Sequence, residues 1–596
     1  MIKRAVPVII VVVLAVAIGL GWRWYDRTLA IKAPRFPTPT QTTWLQQNWS
    51  AGQRNWFHHA DQGTLTFKMP YEWFVALDRP DLLSSGRLSD PAYLDRFGFI
   101  PDPTLKGPGA LPVGFARGGA TTLADGAAWR NPKSGEPFTS VGLTCAACHT
   151  GRLTYRGHEL LVDGAPALTN LGTLRHAVGV AVLLDRNLPW RFEAFQARVL
   201  GPNASPAAKA ALKAQMDAYL ASGKRELALI KANEAKNVEE GFGRLDALNR
   251  IGNQVFALDL DQPANYAPLS APVHFPRIWD ASWFTWVQYN GSIEQPMVRN
   301  AGEALGVAAR LTLSGPNTFA SSVKVDEIAR LEEQLAGATP PTAATGFTGL
   351  RPPRWSETPL PAIRPELAAQ GAALYTKRCQ GCHMPPTSSP EFWASSRWTP
   401  PNAAGERYLD VELIGIDHIG TDPAQAAGMA NRTVRVPAEL GIKGNAFGPA
   451  LGQLVEKVVG HWYDRQQPPT PADQRERMDG FRQNGIQAPL KYKVRPLDGI
   501  WAAPPYLHNG SVPTLYALLS PVKERPSSFY LGNREYDPVN VGYLTGPFKN
   551  GFRLDTTIPG NSNQGHEFSD AKGPGVIGPR LSEDQRRALI EYLKTL

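Results

Sequence analysis

The sequence predicts a mainly α-helical chain with long loops, folded as two domains behind an N-terminal membrane anchor. Three observations support this. All four cysteines fall in two short runs, Cys145-Ala146-Ala147-Cys148-His149 and Cys379-Gln380-Gly381-Cys382-His383. Between the runs, residues 338–365 carry Pro340, Pro341, Pro352, Pro353, Pro359, Pro361 and Pro365, which interrupt any regular element. At 596 residues the chain is too long for one core and suits two or three domains.

A C-x-x-C-H run is the attachment signature of c-type haem. Cysteines three positions apart share one side of a helical turn, where their sulfurs can form thioethers with the two vinyl groups of one porphyrin. The next residue then supplies the proximal nitrogen to iron. A redox dithiol or half a zinc site could use one C-x-x-C, but neither explains the histidine that follows both runs. Two covalently bound haem c groups are therefore expected, on Cys145, Cys148 and His149 and on Cys379, Cys382 and His383.

At the start, Lys3 and Arg4 precede an apolar run from about Ala5 to Leu20, followed by Gly21-Trp22-Arg23-Trp24-Tyr25. Ala15-Val16-Ala17 lies inside the run, so residues 1–26 are read as an uncleaved signal anchor in the inner membrane, with the rest exported to the periplasm. Residues 27–43 read as a Pro/Thr-rich tether and 44–337 as an N-terminal haem domain. The 62 basic and 53 acidic side chains give +9, a mild excess that could favour an acidic redox partner or anionic lipid headgroups and is read first as solubility. No basic stripe with interleaved aromatics is present, so nucleic acid is not implied.

Within 44–337, the aromatic block around Trp56-Phe57-His58-His59 and Tyr71-Glu72-Trp73-Phe74 reads as packed structure. His58 and His59 are capping residues or candidates to approach the first haem. Apolar residues at Leu168, Leu171, Leu174, Val178 and Leu183-Leu184 predict a helix from Gly164 to about Asp185. Ser205 and Pro206 begin one or two further solvent-facing helices, reaching about Lys236. Trp279, Trp283 and Trp286 recur at i, i+4 and i+7 and would share a helix face, as core, as a relay between porphyrins or as the lining of a pocket for an apolar substrate. Gln288 to Ser292 and Arg299 to Glu303 could furnish distal donors and an acid/base group.

After the Pro-rich linker, 366–596 reads as a C-terminal haem domain with an insertion. Helices are expected at Glu366–Lys377, entering the second run, and from Ser582 to Leu596, with Leu589, Ile590, Tyr592 and Leu593 on the apolar face. The sixth ligands stay open among His58, His59, His158, His176, His274, His418, His461, His508 and His566, with Met297 and Met429 behind them. His508 and His566 stand in loop-like sequences of the kind that carry ligands on a rigid scaffold.

With both runs and the block Ala503-Pro504-Pro505-Tyr506-Leu507-His508-Asn509-Gly510-Ser511 in view, the chain resembles the bacterial di-haem cytochrome c peroxidase superfamily. More closely it resembles the branch of di-haem rubber oxygenases. The likeness is strongest at Gly142 through His149, at the Tyr506–Gly510 block and at Asn561 through Phe568. The helix before the second run and the closing helix resemble the small all-helical fold of class I cytochromes c, which implies two cytochrome c-like haem domains. The resemblance implies His383 with His566 on the second haem, and His149 with an exchangeable site on the first. His508 is a further cofactor-binding candidate. Members of the superfamily also hold calcium between domains, so calcium is a candidate cofactor, although no diagnostic run for it is present.

The expected function is a di-haem oxidoreductase in which one haem relays electrons and the other activates peroxide, with His149, Trp283, Trp286 and Glu303 as catalytic candidates. Its expected donor is a small redox protein or a quinol-linked carrier, and its oxidant peroxide or dioxygen. Two alternatives stand beside it: a dioxygenase cleaving an apolar alkene-like substrate, and an electron carrier in which His58 or His59 completes the first haem.

Overall fold

The computed structural model describes residues 23, 25–26, 28–81, 86–121 and 128–596. The apolar run expected to anchor the chain lies outside them. Among the described residues no helix is long and apolar enough to cross a membrane, so the anchored architecture and the inner-membrane placement find no support in them. The mainly helical expectation is corrected. Among the described residues helix accounts for 39% and strand for 14%, the strands lying in one three-stranded sheet and six two-stranded pairs.

The chain leaving the first C-x-x-C-H run is a hairpin, β2 (Thr150–Tyr155) and β3 (His158–Asp163), turned by Arg156-Gly157. A third strand, β1 (Gln41–Trp44), pairs with β3 in parallel, Gln41 opposite His158 and Trp44 opposite Leu161. The sheet buries Leu153, Leu160, Leu161 and Val162. Arg152 is buried with them and is held by Glu159 at 2.6 Å and Asp95 at 2.6 Å. This is a satisfied charge cluster rather than an exposed one.

The helix expected after the first run is α1 (Leu171–Asn187), capped by Asn170, whose side chain accepts from the Thr173 N–H. The next is α2 (Pro206–Ala232), with Ser205 as N-cap and proline in its first turn, as the Ser-Pro pair predicts.

In the second half, α3 (Pro365–Arg378) runs into the second haem run and packs on α4 (Glu583–Leu593). A Ser582/Gln585 capping box starts α4. The two helices approach so closely that a Cβ at Gly371 would lie 2.0 Å from the Ala588 carbonyl oxygen. Tyr375 and Tyr592 close the contact with ring centres 5.1 Å apart.

One buried apolar cluster joins the halves, with Leu45, Leu160 and Trp279 alongside Trp355, Leu360, Tyr375, Trp501 and Leu589. The Pro-rich stretch passes through this core. Trp355 meets Trp501 edge-on at 5.3 Å. Cys145 and Cys379 both pack against it, so one core supports both attachment runs.

The tryptophan stripe is not helical. Ala281–Trp283 is a single 3-10 turn, and the chain around it is irregular. Asp280 with φ +67° breaks the periodicity between Trp279 and Trp283. The indole N–H of Trp279 donates to Asp498 O at 2.9 Å, whereas that of Trp283 donates to Ala336 O at 3.0 Å. Trp286 is half-buried against Gly485.

Candidate haem centres

In the second run, Gln380–His383 forms a short helix continuing from α3. His383 Nδ1 donates to Arg495 O at 3.0 Å, which fixes the tautomer and leaves Nε2 as the ligating lone pair. His566 stands across from it, with ring centres 6.2 Å apart and planes at 61°. One iron between two imidazoles needs two bonds of about 2 Å and about 1.1 Å from each nitrogen to its ring centre, roughly 6.2 Å in all. The observed spacing fits one iron. His566 Nδ1 is buried and without a hydrogen-bond partner, so this ring is oriented by the chain that carries it.

That chain is heavily tied down. His566 N–H donates to Ile419 O at 2.9 Å, and the Arg525 guanidinium gathers Gly565 O at 2.9 Å and His566 O at 3.0 Å. Gly565 has φ +74°, and a Cβ there would lie 2.3 Å from the Gly420 carbonyl carbon. His566 itself has φ +45°, a conformation rarely adopted away from constrained sites. Asp422 Oδ2 accepts the N–H groups of Gly560 at 2.8 Å and Ser562 at 3.0 Å. Burial, then His383 and Arg525, push His566 down to about 3. Burial also lowers His383. Both rings are thus held in the neutral form that ligates metal.

In the first run, Cys145–Ala147 makes a 3-10 turn. His149 Nδ1 donates to Pro276 O at 2.8 Å, the same carbonyl support that His383 has. Gly164 N–H donates to His149 O at 2.8 Å and Ala167 N–H to Cys148 O at 3.0 Å, so the run is pinned to the chain after β3. Burial pushes His149 down to about 4 against the Pro276 hydrogen bond. Gln62 Nε2 lies 3.1 Å from Cys145 Sγ. The ring partner of His149 is Phe275 at 6.5 Å, edge-on. Among the described residues, no imidazole ring pairs with His149 at the spacing that separates His566 from His383; His274 is within its electrostatic reach but makes no ring contact with it.

His58 and His59 are engaged elsewhere, which corrects their candidacy as ligands. His58 Nε2 pairs with Asp163 at 2.8 Å. His59 bonds Asp102 at 2.7 Å through Nε2 and Phe115 O at 2.7 Å through Nδ1. His508 faces neither proximal histidine. It stacks on Tyr492 at 4.0 Å and 25° and meets Tyr289 edge-on at 6.1 Å, and burial pushes it down to about 3.

Glu303 accepts from Gln288 Nε2 at 2.9 Å, and burial raises its pKa while Arg299 opposes the rise. It is within electrostatic reach of Cys145 and Cys148. Trp283 stacks on Tyr408 at 6.0 Å. Burial, then Arg495, Arg299 and Arg277, hold Lys493 well below the usual lysine range, and no carboxylate counters them. Such a cation fits an anionic group such as a haem propionate. Among the described residues no group of three or more His, Cys, Asp or Glu is arranged to hold a metal ion such as calcium.

Sequence reasoning did not find Pro276, Arg495 and Arg525. The first two act on the histidines through backbone carbonyls, which leave no signature in residue identity.

A family model described as RoxA-like, cytochrome c-like matches residues 491–530, a span holding both Arg495 and the Tyr506–Gly510 block. A cytochrome c-like segment implies covalently bound haem c. The chain is 60% identical over 575 residues to "Uncharacterized protein y4iJ" of Sinorhizobium fredii, covering 96% of each chain. It is 26% identical over 341 residues to "Uncharacterized protein y4iM" of the same organism, covering 55% of this chain and 65% of that one.

Proposed function

We propose, for a chain that belongs to one family with the y4iJ protein of Sinorhizobium fredii, a haem-dependent oxidoreductase with two haem c groups of unequal duty. The observation that carries this reading is the asymmetry of the two proximal histidines. His383 faces His566 at 6.2 Å, whereas among the described residues no second imidazole pairs with His149 at that spacing.

When bound, each haem supplies an iron that exchanges one electron, and an iron with an open position can also take up an oxygen species. The chain divides these tasks. Cys379, Cys382, His383 and His566 would hold one haem, and rings fixed by the chain on both sides would suit electron transfer with little rearrangement. Cys145, Cys148 and His149 hold the other from one side. Pro276 O orients His149 and raises its basicity by accepting the Nδ1 proton.

The RoxA-like match favours dioxygen as the species activated, with an apolar alkene-like substrate. A second reading has its own support. Glu303, its carboxyl raised by burial and hydrogen-bonded to Gln288, is suited to hold and return a proton during peroxide cleavage.

Electron paramagnetic resonance of the oxidised protein, repeated after one reducing equivalent, tests the asymmetry. One low-spin and one high-spin or exchangeable haem are expected, and two low-spin haems in both states overturn the reading. Oxygen uptake with an apolar alkene and no reductant separates the oxygenase from a peroxidase, which would instead turn over peroxide with a reduced small redox protein.

A further inference from the structure

We infer that Arg277 and Arg495 form a clasp that couples the proximal sides of the two haem sites, so that Arg495 positions His149 as well as His383. The inference rests on the two-haem reading. Its structural basis is a closed set of hydrogen bonds between residues 276–279 and 495–498.

Each segment supports one proximal histidine through a carbonyl. Pro276 O accepts from His149 Nδ1 at 2.8 Å, and Arg495 O accepts from His383 Nδ1 at 3.0 Å. The segments then grip each other. Arg495 Nη1 donates to Arg277 O at 2.6 Å and Nη2 to Trp279 O at 2.8 Å. In return Arg277 Nη2 donates to Pro496 O, and the Trp279 indole donates to Asp498 O at 2.9 Å. From His149 to His383 the path is therefore one carbonyl, one peptide unit, one guanidinium and one carbonyl.

Asp280 and Asp498, both buried, lie within electrostatic reach of both guanidiniums. The clasp nevertheless rests on its backbone hydrogen bonds, since no carboxylate stands within ion-pair distance of either guanidinium among the described residues. The planar fork of Arg495 matches two carbonyls two residues apart, a geometry that a lysine ammonium cannot reproduce. The carbonyl that accepts from a ligating histidine tunes that ligand's basicity and ring orientation. A change at Arg495 should therefore reach the first haem through Arg277 and Pro276.

The test is a redox titration with electron paramagnetic resonance on the full chain, matured in a host that attaches c-type haem, comparing Arg495→Lys with wild type. Haem count by intact mass comes first: fewer than two haems on wild type defeats the two-haem reading, not the clasp. With two haems in place, Arg495→Lys is expected to shift the potentials and low-spin signals of both. Arg525→Lys, which loosens only the His566 loop, should shift the second alone. A first haem identical to wild type in Arg495→Lys overturns the inference. Should that variant not accumulate, Arg277→Lys is read the other way round: a shifted second haem supports the clasp, and an unchanged one overturns it.

Discussion

His383 and His566 present their imidazoles to each other across 6.2 Å with planes at 61°, and the two rings come from segments that meet only through the fold. Replacing His566 by Met keeps a ligand in place but substitutes a thioether, which raises the potential of a haem relative to a second imidazole. The second haem of His566→Met should stay attached through Cys379 and Cys382. Its potential is expected to rise by an amount on the order of 0.1 V, within the range that axial ligands command. Optical redox titration measures this, and an unmoved potential would show that His566 is not the ligand.

Asp163 joins two elements that lead to the first site. It is fully buried at the end of β3, where its carboxylate takes Arg54 Nε at 2.7 Å and His58 Nε2 at 2.8 Å. Asp163→Asn leaves Arg54 and His58 without their anion and should destabilise the fold by about 3–5 kcal/mol. His58→Gln should cost about 1–3 kcal/mol and leave the spectrum of the first haem unchanged. Denaturant titration and optical spectra check the pair, and a changed first-haem spectrum in His58→Gln would restore that histidine as a ligand.

Asp259 ends a π-helical stretch, Asn253–Asp259, with Oδ1 on Gln254 Nε2 at 2.7 Å and Oδ2 buried without a partner. Burial pushes its carboxyl up to about 7, with Lys68 opposing. A raised folded pKa means that the folded state binds the proton more tightly. Stability from this group is complete below the unfolded value near 4 and is lost as pH rises towards 7. Asp259→Asn, which keeps the shape without the charge, should thus be neutral at pH 4. At pH 8 it should stabilise by at most about 4 kcal/mol, the equivalent of a shift of about three units. Thermal melts across that pH range decide it, and equal stabilisation at both ends would remove the titration from the explanation.

The attachment runs were legible because their chemistry needs particular residues at fixed spacing. The α3 and α4 helices were legible because their caps and apolar faces are local. The tryptophan periodicity failed for an equally local reason, since Asp280 takes a left-handed conformation and breaks the turn between Trp279 and Trp283. His58 and His59 could not be assigned from sequence because their partners, Asp163 and Asp102, lie far along the chain. The resemblance named His566, but only the fold shows what aims it: Arg525 collecting carbonyls, and a glycine contact at Gly565 and Gly420. Information carried by backbone carbonyls and tertiary charge pairs is absent from any periodicity.

Lys493 gives a prediction that separates the bare chain from the haem-loaded one. Its ammonium lies 5.3 Å from the Phe284 ring among Arg277, Arg299 and Arg495, with its pKa held far below normal by burial and by those cations. Without an anion the amine is buried among cations and pushed towards its neutral form, so Lys493→Met should stabilise haem-free protein by about 1–3 kcal/mol, the cost of an uncompensated buried polar group. With haem attached, Lys493 is the residue that would meet a propionate, and a cation so placed would favour the reduced iron. The same substitution should therefore lower the potential of the adjacent haem while weakening the loaded fold. Melting temperatures of both forms, with a redox titration of the second, are the measurements. Equal stabilisation of the bare and loaded proteins would mean that no propionate reaches Lys493.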